Sequence, residues 1–275
     1  RLIRARKYDL VYISSYVNVF AGFAARRAGV PILWHIQECV EPGNVKALVK
    51  AKQALREHPD DVEAHRAYQN VMIEEGWKTQ IADEYAERLK NARTPEHLYL
   101  WGRLQEGAEQ AQVFETLVNE FPDFSWGYFG LAGVRGDQGA RDEAIRLYEK
   151  ALERDPLNSS AYRLLAYYHE VGGDLNKSLQ TVERGLTHLP GHVELLVYRA
   201  TFRRMLEQYE PARADLARVL EEEPDHRQAL RQMLYLHTDT KEFEPAIAVG
   251  ERYVSFEPTD RRAWVRLAQS HLALY

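Results

Sequence analysis

The chain has 275 residues, 45% of them apolar and 28% charged, a balance that suits a folded, soluble protein. Its 36 Lys and Arg against 41 Asp and Glu leave a formal charge of −5, which argues against a nucleic-acid binder. The single cysteine, Cys39, excludes an intrachain disulfide, and no apolar run approaches the roughly 18 to 20 residues needed to span a bilayer. No membrane insertion is therefore expected. The chain opens on Arg1 rather than Met, shows no signal-peptide pattern and ends within a helical pattern at Tyr275. It is expected to be a piece of a longer protein, cytoplasmic or, if a leader precedes it, periplasmic.

Residues 1–44 have a grammar of their own. Tyr8 to Ser14 is a short β-branched run suited to a buried parallel strand. Asn18 to Ala28 has helical spacing, and Gly29 sits where a C-cap belongs. Val30 to Ile36 is a second strand-like run, which makes a βαβ-like segment that Pro42-Gly43-Asn44 then breaks. The stretches KYDLVYISS and FAARRAGVPILWHIQE resemble part of the N-terminal Rossmann-like domain of GT-B glycosyltransferases that make bacterial surface glycans. By that resemblance His35 and Glu38 would lie near a sugar. The family's Gly-rich loop and its sugar-nucleotide domain with paired glutamates are missing, so no transferase activity is expected of this chain alone. His35 and Cys39 have an i, i+4 spacing, but zinc needs three or four ligands and no complement is visible.

Residues 45–122 read as helices. Val45 to His58, closed by Pro59, fits the second helix of a helical hairpin. Val62 to Glu75 and Thr79 to Asn91 form the next pair, hinged at Gly76. Thr94 is an N-cap before Pro95 at the first helical position. The unit from Thr94 to Pro122 is about five residues short of the length its successors set, with the cut expected in the turn near Gly107.

From Ser125 onward the pattern is periodic. Prolines stand at Pro122, Pro156, Pro190, Pro224 and Pro258, each 34 residues after the last. The unit from Ser125 carries Tyr128 at position 4, Leu131 at 7, Ala132 at 8, Gly139 at 15, Ala144 at 20, Tyr148 at 24, Ala151 at 27 and Pro156 at 32. Small residues at 8 and 20 let the two helices of a unit approach, large ones fill the space between them, and the proline ends the second helix. Three later residues depart from the pattern: Arg199 at position 7, Leu234 at 8 and Gly250 at 24.

These positions resemble the tetratricopeptide repeat. The resemblance implies an all-α fold over residues 45–275, a right-handed superhelical solenoid of antiparallel helix pairs behind the βαβ-like segment. Six full units are expected between Asp61 and Asp260, with a half unit at each end. It also implies that positions 2, 5, 9 and 12 of each first helix face a concave groove. The residues so placed include Trp126, Phe129, Arg163, Tyr167, Thr201, Arg204, Arg231 and Tyr235. Aromatic rings among guanidinium groups suit a peptide with acidic and apolar side chains. The Lys/Asn carboxylate clamp of chaperone-binding repeats is absent at positions 5 and 9, so that function is not expected.

Gly130, Gly133, Gly136 and Gly139 have the wrong spacing for a phosphate-binding loop, and no Ser/His/Asp or Cys/His set falls on suitable elements. No catalytic residue, metal or cofactor is expected. The leading expectation is a non-enzymatic interaction module with a protein or peptide partner. The rivals are a repeat-fused glycosyltransferase of bacterial surface polysaccharide synthesis, its catalytic parts outside this chain, and an assembly scaffold. Trp264, Leu267 and Leu274 are expected to leave an apolar edge that drives self-association.

Overall fold

The computed structural model describes residues 11–13, 32–34 and 42–274. Strands β1 (Val11–Ile13) and β2 (Ile32–Trp34) pair in parallel, with Val11 opposite Ile32 and Ile13 opposite Trp34. The helix expected between them, and His35, Glu38 and Cys39, lie outside the described residues.

From Pro42 onward the described chain is all-α, with fourteen helices. They are α1 (Pro42–Glu57), α2 (Val62–Glu74), α3 (Lys78–Asn91), α4 (Pro95–Gly102), α5 (Gly107–Glu120), α6 (Ser125–Asp137), α7 (Arg141–Arg154) and α8 (Ser159–Val171). There follow α9 (Leu175–His188), α10 (Val193–Met205), α11 (Tyr209–Glu222), α12 (Arg227–Asp239), α13 (Phe243–Phe256) and α14 (Arg261–Leu272). First helices begin at Ser125, Ser159, Val193, Arg227 and Arg261, and second helices at Arg141, Leu175, Tyr209 and Phe243, so both series advance by 34 residues. The chain divides into two compact units, residues 1–110 and 111–275.

In the first unit α1 begins at Pro42, so the Pro-Gly-Asn read as a break is instead the first turn of a helix. Proline is tolerated there because a first-turn N–H has no intrahelical acceptor to lose. Thr94 caps α4 as expected, accepting from the His97 backbone N–H at 3.2 Å. The missing length of that repeat comes out of the helix and not out of the turn at Gly107: α4 has 8 residues, whereas α2 and α6 have 13. Buried His65 fixes α2 by both ring nitrogens. Nε2 donates to the Pro59 carbonyl at 2.8 Å, which leaves Nδ1 to accept from the Tyr85 hydroxyl at 2.7 Å.

In the second unit each helix from α6 to α14 packs on the next. First helices also pack on first helices, α8 on α10, α10 on α12 and α12 on α14. Among the described residues the second helices do not approach one another in this way. Long side chains span their gap, as where Arg184 on α9 reaches Glu149 on α7 at 2.7 Å. The row of first helices is therefore the crowded, inner side of this unit.

One backbone feature recurs within the hairpins. Two residues before the second helix the chain is left-handed, at Gly76 (φ +78°), Gly139 (φ +79°), Gly173 (φ +81°), Glu207 (φ 60°) and Lys241 (φ 61°). Glycine adopts this conformation freely, whereas Glu207 and Lys241 hold it against the clash of their own Cβ.

The departures from the repeat pattern are compensated in pairs. Leu234, too large for position 8, meets Gly250, too small for position 24: a Cβ on Gly250 would stand 3.0 Å from Leu234 Cδ1. The two positions have exchanged sizes, and the interface stays filled by Leu230, Leu234, Tyr253 and Leu267. Arg199, where a leucine was expected, donates to buried Asp215 by Nε and Nη2 at 2.9 and 2.5 Å, and Arg203 adds a third bond at 2.9 Å.

Candidate peptide-binding surface

The inner side of the second unit carries six of the eight expected groove residues on its surface or just beneath it. Tyr167 on α8 is 48% exposed, its ring edge-on to Tyr168 with centroids 5.4 Å apart. Arg163, one turn earlier, is partly buried. Glu170 lies one turn later, and burial pushes its carboxyl pKa up. Thr201 on α10 is partly buried and turns its hydroxyl back to its own helix, donating to the Val197 carbonyl at 2.8 Å.

Arg204, Arg231 and Tyr235 come together. The guanidinium carbons of Arg204, Arg231 and Arg266 lie 5.5, 5.3 and 5.4 Å from the centroid of the Tyr235 ring. Three first helices, α10, α12 and α14, thus converge on one aromatic ring. Asp239 accepts from Arg204 at 2.5 Å and from Arg266 at 2.7 Å, and Asp260 pairs with Arg231 at 3.1 Å. The carboxylates hold the cations close together and rigid. Arg266, Asp239 and Asp260 were missed in the sequence. Arg266 occupies position 6 of its helix, off the expected groove positions, and the ring of Tyr235 together with Asp239 draws it in.

Trp126 and Phe129 are the two corrections. Both are buried, 7% exposed each. Their rings meet edge to face at 5.0 Å, and Phe129 meets Tyr148 on α7 at 5.5 Å. The glycines of α6 explain this. A Cβ on Gly130 would stand 2.6 Å from Phe114 Cε1, and one on Gly127 would stand 3.2 Å from Leu117 Cγ. Without those methyls α5 comes close enough to help enclose the flanking rings. Gly136 makes room for the Tyr168 hydroxyl in the same way, so the glycines of this helix serve packing.

Among the described residues no group of three or more His, Cys, Asp or Glu side chains could hold a metal ion, and no helix is long and apolar enough to cross a membrane. At the far end of the unit Trp264, Leu272 and Leu274 are exposed, and a cavity of about 520 Å³ is lined by Val254, Trp264, Leu267 and His271.

Residues 129–192 match the profile of the tetratricopeptide repeat family. That stretch is similar to the tetratricopeptide repeat. Solved structures agree on the fold. A tetratricopeptide repeat protein from Parabacteroides merdae is 15% identical over 92% of this chain and 97% of its own, with a TM-score of 0.53. A chain of the APC/C hetero-tetramer Cut9-Hcn1 is 11% identical over 82% of this chain and 46% of its own, with a TM-score of 0.61. Yeast Tom70 is 16% identical over 84% of this chain and 52% of its own, with a TM-score of 0.54. No curated protein matches the sequence. None of these comparisons supports the glycosyltransferase resemblance of residues 1–44.

Proposed function

We propose that the second unit binds a peptide or protein partner along the row of first helices α8, α10, α12 and α14. The observation that carries this is the Tyr235 cluster with exposed Tyr167. Ring and guanidinium groups from separate repeats line one side of the unit, held by ion pairs rather than buried as core. Aromatic and arginine side chains contribute most to binding surfaces because they offer large contact area at a small loss of side-chain freedom. The assembled state of the Cut9-Hcn1 neighbour fits such a role.

The test is affinity capture from a lysate with the native chain and with Arg163→Glu combined with Tyr167→Ala, captured proteins being identified by mass spectrometry. Arg163 has room to change without unpairing a buried charge, which Arg204 does not. Proteins held by the native chain should be lost from the variant and kept by an outer-surface control, Arg146→Glu with Gln180→Ala. Equal capture by both variants would contradict the proposal.

The exposed apolar end of α14 favours a further contact of chain with chain. Sedimentation at two concentrations should show association, and a single concentration-independent species would dismiss it.

A further inference from the structure

The cavity beside Tyr235 has a volume of about 400 Å³ and is lined by Arg204, Tyr235, Arg261, Arg262, Val265 and Arg266. Arg231 lies on the same ring, which brings five arginines together, namely 204, 231, 261, 262 and 266. Among the described residues Asp239 and Asp260 are the carboxylates paired with them. Those two aspartates are engaged with Arg204, Arg231 and Arg266, and the ion pairs found among the described residues include neither Arg261 nor Arg262. Both are exposed, and both occupy the first turn of α14, where the partial positive charge of the helix end disfavours a cation. No carboxylate of the described residues neutralises these two guanidinium groups, and a bound anion would.

Resting on the reading that the inner side of this unit takes a peptide, we infer that the cavity holds an acidic side chain of that peptide. The carboxylate is received by Arg261 and Arg262, and an adjacent apolar or aromatic residue lies against Val265 and the Tyr235 ring. Arginine suits this role because its planar fork of donors matches the two oxygens of a carboxylate. The −5 charge of the chain as a whole makes a locally basic pocket a selective feature rather than general stickiness. It also disfavours nucleic acid as the occupant.

The probe is a fluorescein-labelled eight-residue peptide of alternating Glu and Phe, titrated by anisotropy against the full chain, with the Gln/Phe peptide as its neutral counterpart. The Glu peptide should bind about tenfold tighter than the Gln peptide. Arg261→Gln with Arg262→Gln should weaken it by about fivefold while helix content and melting temperature hold. Removing two cations from a helix N-terminus does not harm the fold, so this variant reports on binding alone. Arg146→Gln with Arg218→Gln, on outer helices, should leave affinity unchanged. Four results would overturn the inference: no binding of the Glu peptide, equal binding of the two peptides, an equal loss in the outer variant, or tighter binding of a single-stranded DNA of matched charge that the Arg261/Arg262 variant abolishes. If the Arg163/Tyr167 variant loses its captured proteins and the Glu peptide does not bind, the interaction role stands and only the acidic preference falls.

Discussion

The repeat from Ser125 and the repeat from Arg227 have the same helices, the same turn position and the same 34-residue length, yet they spend their inner sides differently. In the first, Trp126 and Phe129 are buried against the hairpin, and glycines at 127, 130 and 136 draw neighbouring side chains in. In the second, Arg231 and Tyr235 stand on the inner side and remain partly exposed, Arg231 tied by an ion pair to Asp260 at the cap of α14 and Tyr235 by cation–π contacts to Arg204 on α10 and Arg266 on α14. Backbone geometry alone therefore does not decide whether an inner position is core or contact surface. The size of the residues opposite it does, because a close-packed interface has only a fixed volume to fill.

The largest expected effects come from breaking the paired compensations. Leu234→Ala should cost about 3 kcal/mol, since it empties the space that Gly250 leaves to it. Gly250→Ala should be better tolerated in that background than in the native chain, with a coupling of more than about 0.5 kcal/mol in a double-mutant cycle of urea unfolding. Additive costs would show that the two positions do not share one volume.

Asp215→Leu should cost about 3 kcal/mol by stranding Arg199. Arg199→Leu with Asp215→Leu should regain most of it, because the leucine pair restores the apolar packing expected at position 7 and Arg203 still reaches Glu183 at 3.0 Å. A double variant as unstable as Asp215→Leu would mean that the ion pair itself organises this repeat.

The turn position should give a smaller effect with opposite signs in different repeats. Gly139→Ala and Gly173→Ala should each lower stability by about 1 kcal/mol. Glu207→Gly and Lys241→Gly should each raise it by about 0.5 kcal/mol, because a strained left-handed residue is relieved. Melting temperatures of the four variants would show the split, and a common sign would contradict it.

The smallest effect concerns His65 in the first unit. Burial lowers its pKa from the ordinary 6.5. The unfolded chain therefore takes up the proton at a higher pH than the folded one. Stability is full above about 6.5 and falls as pH drops below it. Urea midpoints at pH 7.5 and 5.5 should show this decline, reduced in His65→Gln. An unreduced decline would place its source elsewhere.

Much of this was legible in the sequence. The 34-residue spacing set the helix phases from Ser125 on, and Thr94-Pro95 marked the start of α4, because caps and chain breakers act locally. Pro42 was misread for the same reason: a proline that stops a helix and one that opens it differ only in the conformation of the residues after them. The exchange between Leu234 and Gly250, and the pairing of Arg199 with Asp215, showed only as isolated departures, since each takes its meaning from a partner on the other helix. Trp126 and Phe129 went astray because repeat position predicts direction, whereas their burial depends on glycines that let α5 approach. Arg266 went unnoticed because its role comes from a ring 31 residues earlier in the chain.

The central claim is that the first helices of residues 111–275 form the contact surface. A photo-crosslinking amino acid placed at Tyr167 or Arg163, and in parallel at Arg146 or Gln180, tests it most directly. Crosslinks to the same captured protein from the first two positions and not from the second two are the predicted result. Crosslinks from the outer helices alone would contradict the account.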